Sequence, residues 1–430
     1  MTSDAGSKPH ARVLFADLLG LAHGRVLASK AAEAPTHLCM TLMAQALDGR
    51  DDIVAGYGVD VGSPDMEAVI DPASTITGWQ SDASVSMASL HRLDRSRTPF
   101  ELDPRGALQR AIELWRSLGH DPVAGFEMEF YLLAGAPDPD VEPLPTPAHR
   151  PYGTGIGGDP TGLGQRIFDA AREGGLDVSH LSTEFHPAQL EVVLNHGPAL
   201  RAADAAFLFR EVAREVAAAN GAWCTFLGKP MAHRAGNGLH VNLSAVDETG
   251  ANAFDDPAGR HGLATVAQHA IAGILAHYPA LCAIAAPTVN AYKRLRPGEI
   301  GANADWGLDH RIAAVRVPGE RGAATRLEFR AADGSAAPHL LTAALLFAAY
   351  LGVERELDLP EPRTGQHPQT DVAAPRDLAK ALDQLEKDSE LVDLLHPDLV
   401  RTFVALKRWE WDQWSRAVTD WEIRAYGSHY

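Results

Sequence analysis

The sequence predicts an α+β fold in which a small amino-terminal domain, residues 1–100, precedes a larger domain, residues 101–430. Up to about residue 76 the chain carries short, alternating apolar segments broken by Gly and Asp, a pattern typical of a small sheet. Beyond residue 100, long helical periodicities alternate with strands. With 430 residues, of which 46% are hydrophobic and 22% are charged, the chain has enough apolar side chains for two or more domains with a large buried core.

The amino-terminal region is predicted to contain three strands and one helix. The strands fall at residues 13–18, 24–28 and 69–70, where apolar and polar side chains alternate. The helix falls near residues 39–47. Together these elements indicate a small α+β unit.

Asp103 and Pro104 mark the start of the first helix of the larger region, because Asp is a favoured N-cap and Pro is tolerated in the first turn. This helix is predicted to run to about residue 118, and a strand follows at 123–133. Pro and Gly dominate residues 135–164, which indicates a long surface loop. Further helices are predicted at 165–173, 199–220, 262–277, 338–356 and 377–388, with a helical tail at 397–426.

Charge and cysteine usage narrow the class of protein. The formal net charge of -18 argues against nonspecific binding to nucleic acid or to an anionic membrane surface. Cys39, Cys224 and Cys282 lack the spacing of metal ligands, which favours three buried free thiols in a reducing compartment. Residues 1–12 lack the apolar core of a signal peptide, and the apolar stretch 340–353 is too short to span a bilayer. We therefore expect a soluble, cytoplasmic protein.

Three predicted strands carry polar side chains at alternate positions, which places those side chains on one face. The segments are FEMEF at 126–130, LHVNLS at 239–244 and RLEFR at 326–330. For a single strand, the simpler interpretation is an amphipathic strand with its polar side in water. Three strands with Glu, His, Asn and Arg in these positions favour a shared site.

A fourth segment, EFHPAQLE at 184–191, holds two more glutamates. An uninterrupted strand would direct Glu184 and Glu191 to opposite faces. Pro187 cannot donate to a strand ladder, so we predict a bulge there that restores a common face. Clustered carboxylates either bind protons or bind divalent cations, because each close pair costs about 4 kcal/mol at an effective dielectric constant near 20. Oxygen ligands with one imidazole suit Mg²⁺ or Mn²⁺ better than Zn²⁺.

Basic residues gather in the same part of the chain. They are Lys293, Arg294, Arg311, Arg316, Arg326 and Arg330. Divalent metals beside several arginines are typical of phosphoryl transfer, in which both stabilise charge on the transferred group. The sequence contains no Walker-type phosphate loop and no dinucleotide glycine fingerprint.

Five motifs in order resemble the glutamine synthetase family, and the resemblance covers nearly the whole chain. They are GFEMEFYL at 125–132, EFHPAQLE at 184–191, KP at 229–230 with GNGLHVNLS at 236–244, NAYKRLRPG at 290–298, and RLEFR at 326–330. The resemblance implies a small β-grasp domain followed by an α+β catalytic domain. It also implies homo-oligomers of stacked rings, with a dodecamer favoured and each site shared between neighbouring subunits.

By position, the resemblance implies two to three Mg²⁺ or Mn²⁺ ions per site. One metal would be held by Glu129, Glu184 and Glu191, and the other by Glu127, His240 and Glu328. The second metal would lie between the phosphates of ATP, which is the co-substrate.

The same carry-over implies roles for further residues. Glutamate would be bound by Gly236, His240, Arg294 and Arg330. ATP would be bound by Asn242, Ser244, Arg311, Arg316 and Arg326. The residues closest to the chemistry would be Arg294, Glu299 and Arg311. In the implied reaction, ATP phosphorylates the γ-carboxylate of glutamate, and an amine then displaces phosphate from the acyl phosphate.

The chain departs from the family pattern where ammonium would bind. The usual Asp-Gly-Ser-Ser segment of the small domain is reduced to Asp48-Gly49-Arg50, and the loop after Pro297 reads Gly298-Glu299-Ile300. A pocket without both anions has little reason to select ammonium, so we favour a polyamine, ethanolamine or another alkylamine. A true glutamine synthetase that uses Glu299, a catalytically degenerate regulatory homologue and a metal-dependent hydrolase are the alternatives.

Two smaller departures concern the nucleotide. Asn242 stands in place of a second histidine common in the family, and Ser179 stands where a nucleotide-contacting glutamate is often found. The tail tryptophans 409, 411, 414 and 421 are interpreted as packing residues rather than as a cofactor-stacking site.

Overall fold

A computed structural model describes residues 8–28, 34–135 and 142–430, and it contains two separate sheets. The first has five strands in the order β2-β1-β5-β4-β3. Their bounds are β1 His10–Ala16, β2 Ala22–Ala28, β3 Thr36–Cys39, β4 Asp65–Ile70 and β5 Ala83–Arg92. The strands β1 and β5 run parallel, and the other neighbours are antiparallel.

The second sheet has eight strands, in the order β11-β12-β13-β10-β6-β8-β7, with β9 paired to β6. Their bounds are β6 Asp121–Ala134, β7 Val178–Thr183, β8 Gln189–Pro198, β9 Ala222–Thr225, β10 Leu239–Val246, β11 Trp306–Leu308, β12 Val315–Val317 and β13 Leu327–Phe329. Only β11 and β12 are parallel within this part of the described chain.

Ten α-helices are described. They are α1 Pro104–Ser117, α2 Leu163–Glu173, α3 Ala199–Ala219, α4 Thr265–Ala276, α5 Tyr278–Ala285, α6 Pro338–Glu354, α7 Leu378–Lys387, α8 Ser389–Leu395, α9 Pro397–Arg416 and α10 Asp420–Tyr426. Helices α1 and α3 pack against β6, and α6 packs against α1, α3 and α4. The α+β prediction is confirmed.

Local chemistry explains where the first helix begins. The Asp103 side chain accepts a hydrogen bond from the backbone N–H of Arg105 at 2.9 Å, as predicted for an N-cap. The apolar stretch 340–353 lies within α6, and most of its side chains are buried. Among the helices that the structure describes, none combines the length and the hydropathy needed to cross a bilayer.

Several predicted elements were wrong in type or extent. The helix expected at 39–47 is a five-residue 3-10 helix, Met40–Ala44, and the helix expected from residue 262 begins at Thr265. The tail helix stops at Arg416 and restarts at Asp420, where Thr419 forms a capping box with Glu422. The loop expected at 135–164 includes residues 136–141, which lie outside the described residues, and α2 already begins at Leu163.

The three cysteines are free, but only Cys224 and Cys282 are buried. Cys39 is half-buried, which corrects the expectation of three buried thiols. Burial raises the pKa of the Cys282 thiol to about 12, so this side chain is an inert core group at neutral pH.

A buried ion-pair network links α1, α3 and α6. The Arg105 guanidinium donates to Asp204 at 2.8 Å and to Asp71 at 2.6 Å, and His339 Nε2 lies 2.9 Å from the Asp204 carboxylate. Arg201 adds a hydrogen bond to Asp204 at 2.9 Å. Burial acts to raise the pKa of Asp204, but the hydrogen bonds from His339 and Arg105 outweigh it and hold the pKa below its usual range.

Candidate active site

Four neighbouring strands of the larger sheet present polar side chains on one face. The pairing places Asn242 of β10 opposite Glu328 of β13, and His240 of β10 opposite Glu127 of β6. It also places Glu129 opposite Glu191 of β8. On the other face of β6, Phe126, Met128 and Phe130 are fully buried, as the alternation predicts. The sheet therefore gathers these polar groups because each strand alternates in register with its neighbour.

His240 lies at the centre of this cluster. Its Nδ1 is 3.2 Å from the Glu127 carboxylate and 3.8 Å from that of Glu328, and its Nε2 is 3.8 Å from that of Glu129. Two sets of side chains place ligand atoms within 4.8 Å of one another: Glu127, His240 and Glu328, and Glu129, Glu191 and His240.

Glu184 reaches the same cavity by a different route from the one predicted. Pro187 does not form a bulge in one strand; instead β7 and β8 form an antiparallel hairpin, and residues 184–188 are its turn. The turn is closed by a hydrogen bond from Glu184 N to Gln189 O at 3.0 Å, and Ala188 adopts a positive φ of 64°. Glu184 and Glu191 thus line one cavity from the turn and from the strand that follows it.

Crowding and burial shift the titration of these carboxylates. Burial raises the pKa of Glu191 to about 9, assisted by the charges of Glu127, Glu129 and Glu184. Burial and the nearby Glu129 charge raise the pKa of Glu184 to about 7. Glu127 is also buried, but its hydrogen bond to His240 and the amide of Asn242 lower its pKa to about 2. Without a cation, the cluster therefore retains protons at neutral pH.

The donor set fits a hard divalent cation. His240 Nε2 is buried and has no hydrogen-bond partner within the described residues, although it faces carboxylates. The unpartnered imidazole nitrogen and the carboxylates beside it offer lone pairs that lie around common points, as the ligands of a metal ion do. Such oxygen-rich sets suit Mg²⁺ or Mn²⁺.

Cation binding is expected to release protons. At pH 7 the metal-free cluster holds a proton on Glu191 and about half a proton on Glu184, and both must leave for the oxygens to act as ligands. Calorimetric titration of Mn²⁺ in two buffers of different ionisation enthalpy should show roughly one to two protons released per site. The affinity should rise with pH up to the pKa of Glu191. An identical heat in both buffers would contradict this charge state, and Glu191→Gln should lower the release by about one proton.

Two arginines neutralise Glu328, which is fully buried. Arg316 donates to its carboxylate at 2.7 Å, and Arg330 donates to the other carboxylate oxygen. Arg330 is itself held by the backbone oxygen of Arg311 at 3.0 Å. The Arg294 guanidinium is fixed by the hydrogen bonds that it donates to the backbone oxygens of Ala331 and Arg330, at 3.0 and 3.2 Å.

Two cavities meet at the carboxylate cluster. The first, about 520 Å³, is lined on one side by Asn242, Ser244, Arg316 and Arg326. The second, about 630 Å³, is lined by Gly236, His240, Arg294, Glu299 and Arg330 among others. Four residues line both cavities: Glu127, Tyr152, Glu191 and Arg311. After the ligands that the sequence resemblance implies, we name the first the nucleotide-side cavity and the second the acid-side cavity.

Every residue predicted for the site lies at one of these two cavities or in the cluster between them. Lys293 lines the acid-side cavity as well. Ser244 lies at the edge, where its hydroxyl donates to Thr325 O at 3.0 Å, and Arg326 donates to the Asn242 side chain at 3.1 Å. Trp306, which lies in the chain between Glu299 and Arg311, lines neither cavity; it is buried and donates to Pro360 O at 2.9 Å.

Sequence reasoning assigned no role to two residues of the site. Gln189 is buried, and its amide donates to Gly236 O at 2.9 Å and to Glu129 Oε2 at 3.4 Å. Its position between the two glutamates of the 184–191 segment was the available signal. Tyr152 has a positive φ of 55° and lies in the Pro/Gly-rich segment, where no periodicity marks it.

Comparison with known proteins gives one consistent family. The family described as glutamine synthetase, catalytic domain, matches residues 101–426. A glutamine synthetase of Methanocaldococcus jannaschii is 32% identical over 431 residues, covering 96% of this chain and 94% of that protein. The glutamate–isopropylamine ligase of a Pseudomonas species is 28% identical, covering 88% and 85%. The glutamate–methylamine ligase of Methyloversatilis universalis is 34% identical, covering 76% and 77%.

Solved structures agree over the whole chain. Apo GmaS without ligand superimposes with a TM-score of 0.86 at 26% identity, covering 99% of both chains. A novel glutamine synthase homolog gives a TM-score of 0.83 at 28% identity, covering 98% of both. With its matching sequence, fold and coverage, the chain belongs to the glutamine synthetase family of ATP-dependent carboxylate–amine ligases.

Proposed function

We propose that this ligase joins the γ-carboxylate of glutamate to an organic amine through a γ-glutamyl phosphate. The observation that carries the proposal is the position of the carboxylate cluster between two cavities that share Glu127, Glu191 and Arg311. A phosphoryl donor on one side and a carboxylic acid on the other would meet there. Catalysis of phosphoryl transfer is largely positioning and charge stabilisation, which this arrangement supplies.

We assign one metal position to Glu129, Glu184 and Glu191, and a second to Glu127, His240 and Glu328. The second set is one of the two groups whose ligand atoms converge within 4.8 Å. In the other group, His240 stands beside Glu129 and Glu191, while Glu184 approaches from the hairpin turn. Divalent cations held by these residues would offset the negative charge of the phosphate groups.

Glutamate is assigned to the acid-side cavity. Arg330, which is buried, and Arg294, which is half-buried, supply two guanidinium groups for its carboxylates, and Gly236 supplies backbone for its amino group. A side chain at Gly236 would place Cβ 2.4 Å from Gly228 O and 3.0 Å from Arg294, so the close approach of backbone there requires glycine. The γ-carboxylate would then face the cluster.

ATP is assigned to the nucleotide-side cavity, beside Asn242, Ser244 and Arg326. Arg311 and Arg316 extend from this cavity toward the cluster, where they can stabilise the phosphoryl group in transfer. A γ-carboxylate oxygen forms a bond to the γ-phosphorus as the bond to ADP breaks. The amine nitrogen then attacks the carbonyl carbon of this acyl phosphate, phosphate leaves, and the nitrogen loses a proton. Glu299, exposed at the lip of the acid-side cavity, is the carboxylate that we assign to accept it.

An organic amine is favoured over ammonium by the residues that stand where ammonium would bind. The loop reads Gly298-Glu299-Ile300, and the small domain offers Asp48-Gly49-Arg50 without the serines. Two relatives are named for isopropylamine and methylamine. The second candidate is a true glutamine synthetase, favoured by the match to the M. jannaschii enzyme along nearly the whole chain.

Phosphate release with Mg²⁺-ATP and glutamate tests the proposal. We expect kcat/KM for the best alkylamine to exceed that for ammonium by at least about tenfold, because one hydrophobic contact gives discrimination of that order. Reactions without glutamate and without amine are the controls. The highest kcat/KM with ammonium would establish the glutamine synthetase alternative. Tight binding of Mg²⁺-ATP without turnover of any amine would indicate a regulatory homologue.

We also propose the assembly implied by the family resemblance, a ring oligomer with a dodecamer favoured, in the cytoplasm. The carboxy-terminal helix α10 supports an interface, because Trp421 and Ile423 on it are 61% and 62% exposed.

The division into residues 1–100 and 101–430 is supported by the two sheets, since residue 100 lies between β5 and α1.

A further inference from the structure

The acid-side cavity is not uniformly polar. Ile300, Ile312 and Phe185 are apolar members of a lining that is otherwise dominated by charged groups. Ile300 and Ile312 are half-buried, and Phe185 is 67% exposed. Binding free energy is gained when an apolar part of a ligand covers the apolar surface of such a cavity.

Ile300 is held in place by the backbone around it. Gly301 N donates to Ile312 O at 3.0 Å, Ala302 N donates to Glu299 O at 3.2 Å, and the buried Tyr278 hydroxyl donates to Gly301 O. Gly301 has a φ of 72°, and a Cβ there would lie 2.8 Å from Ala331. The loop is therefore pressed against the strand end, which fixes the backbone position from which Ile300 reaches the cavity.

The charges around the cavity disfavour a second cation on the acceptor. Lys229, Arg234 and Lys293 line it, in addition to the arginines assigned to glutamate. Glu129 and Glu191, by contrast, converge on His240 and are assigned to metal. Of the other carboxylates in the lining, Glu127 and Glu184 are also assigned to metal, and Glu299 is assigned to the reacting amine. A terminal ammonium of a diamine or polyamine would thus meet cations and no unassigned carboxylate.

We propose that Ile300 contacts the alkyl group of the acceptor and selects a primary amine with one cationic group, in preference to both ammonium and a polyamine. The inference rests on the proposed function and narrows its substrate class. An apolar side chain at this place gains nothing from ammonium, which has no carbon to bury. It gains contact with each methylene group of an alkylamine.

The test compares ammonium, propylamine and 1,3-diaminopropane as acceptors, with glutamate and Mg²⁺-ATP saturating. Propylamine and the diamine differ only by a terminal ammonium group. We expect kcat/KM for propylamine to exceed that for the diamine by at least about tenfold in the wild-type enzyme. Equal values would overturn the single-cation part of the inference.

Two substitutions test Ile300 itself. Ile300→Glu places an anion in the wall, and Ile300→Ala removes the apolar contact without adding charge. Each should lower the ratio of kcat/KM for propylamine to that for ammonium by about tenfold or more. Val372→Glu is the matched control, because Val372 is 45% exposed and its backbone pairs with Ala304 at the far end of the same loop. This control should leave the ratio within about twofold.

The outcomes separate the two proposals. If the wild-type enzyme prefers propylamine and neither Ile300 variant changes the ratio, Ile300 does not select the acceptor, while the proposed function stands. If the wild-type enzyme prefers ammonium, the proposed function fails. Should Ile300→Glu fail to fold, as shown by its circular dichroism and melting curve, the ratio measured for Ile300→Ala decides the matter.

Discussion

Glu328→Gln is expected to reduce kcat/KM by about 10³-fold or more while leaving the fold intact. The substitution keeps the shape of the side chain but removes the negative charge that Arg316 and Arg330 both contact. It also removes a carboxylate from the set that includes Glu127 and His240. Loss of one metal ligand and of the charge that orients two arginines should remove several kcal/mol of transition-state stabilisation.

Steady-state phosphate release, together with a thermal melt, measures this effect. Glu361→Gln is the matched control, because Glu361 is 80% exposed in the described structure and pairs only with Arg260 at the surface. The control should retain wild-type kinetics. If Glu328→Gln kept more than about a tenth of wild-type kcat/KM, the carboxylate cluster would not be the catalytic centre.

Asp204→Asn should destabilise the protein by about 3–5 kcal/mol, the usual cost of leaving a buried ion pair without one partner. Asp204 is 4% exposed and accepts hydrogen bonds from Arg105, Arg201 and His339. The substitution would leave the Arg105 guanidinium, 1% exposed, with Asp71 as its one remaining carboxylate partner among the described residues. The free energy of unfolding at pH 7, from urea titration, measures the effect.

The same pair gives a pH dependence with a defined sign. The pKa of Asp204 is lower in the folded protein than its ordinary value near 4, so its stabilising contribution is complete above that value. The contribution is lost as pH falls below about 4 and through the lowered folded pKa. The stability difference between wild type and Asp204→Asn should therefore shrink in acid.

Asp412→Asn is the control for this comparison. Asp412 forms a surface pair with Arg416 at 2.8 Å, and both side chains are more than 40% exposed. Its removal should change the free energy of unfolding by less than about 0.5 kcal/mol. A loss below about 1 kcal/mol for Asp204→Asn would show that the buried network contributes little net stability.

Strand periodicity predicted much of the site, because alternation is a local property of the backbone. The alternating Glu127 and Glu129 face the cluster while Phe126 and Met128 enter the core, as two-residue periodicity requires. The order in which the strands pair, β13-β10-β6-β8, is long-range information, and the periodicity of the single strands does not predict it.

The errors have local causes. Pro187 was correctly taken as incompatible with a continuous strand, but a proline interrupts a strand equally well by a turn, and the hairpin brings Glu184 to the cavity from the turn. The tail was predicted as one helix, since helical periodicity continues through the break, and the Thr419 cap that restarts the helix was overlooked.

Transfer of oxygen from glutamate to phosphate tests the central claim most directly. Glutamate labelled with ¹⁸O in both γ-carboxylate oxygens would be incubated with Mg²⁺-ATP and the preferred amine. The ¹⁸O content of the phosphate and of the γ-glutamyl amide would then be measured by mass spectrometry. If ATP activates the γ-carboxylate, each phosphate released carries one ¹⁸O, and the γ-glutamyl amide retains the other. Unlabelled phosphate, with the second heavy oxygen lost to water instead, would contradict the account.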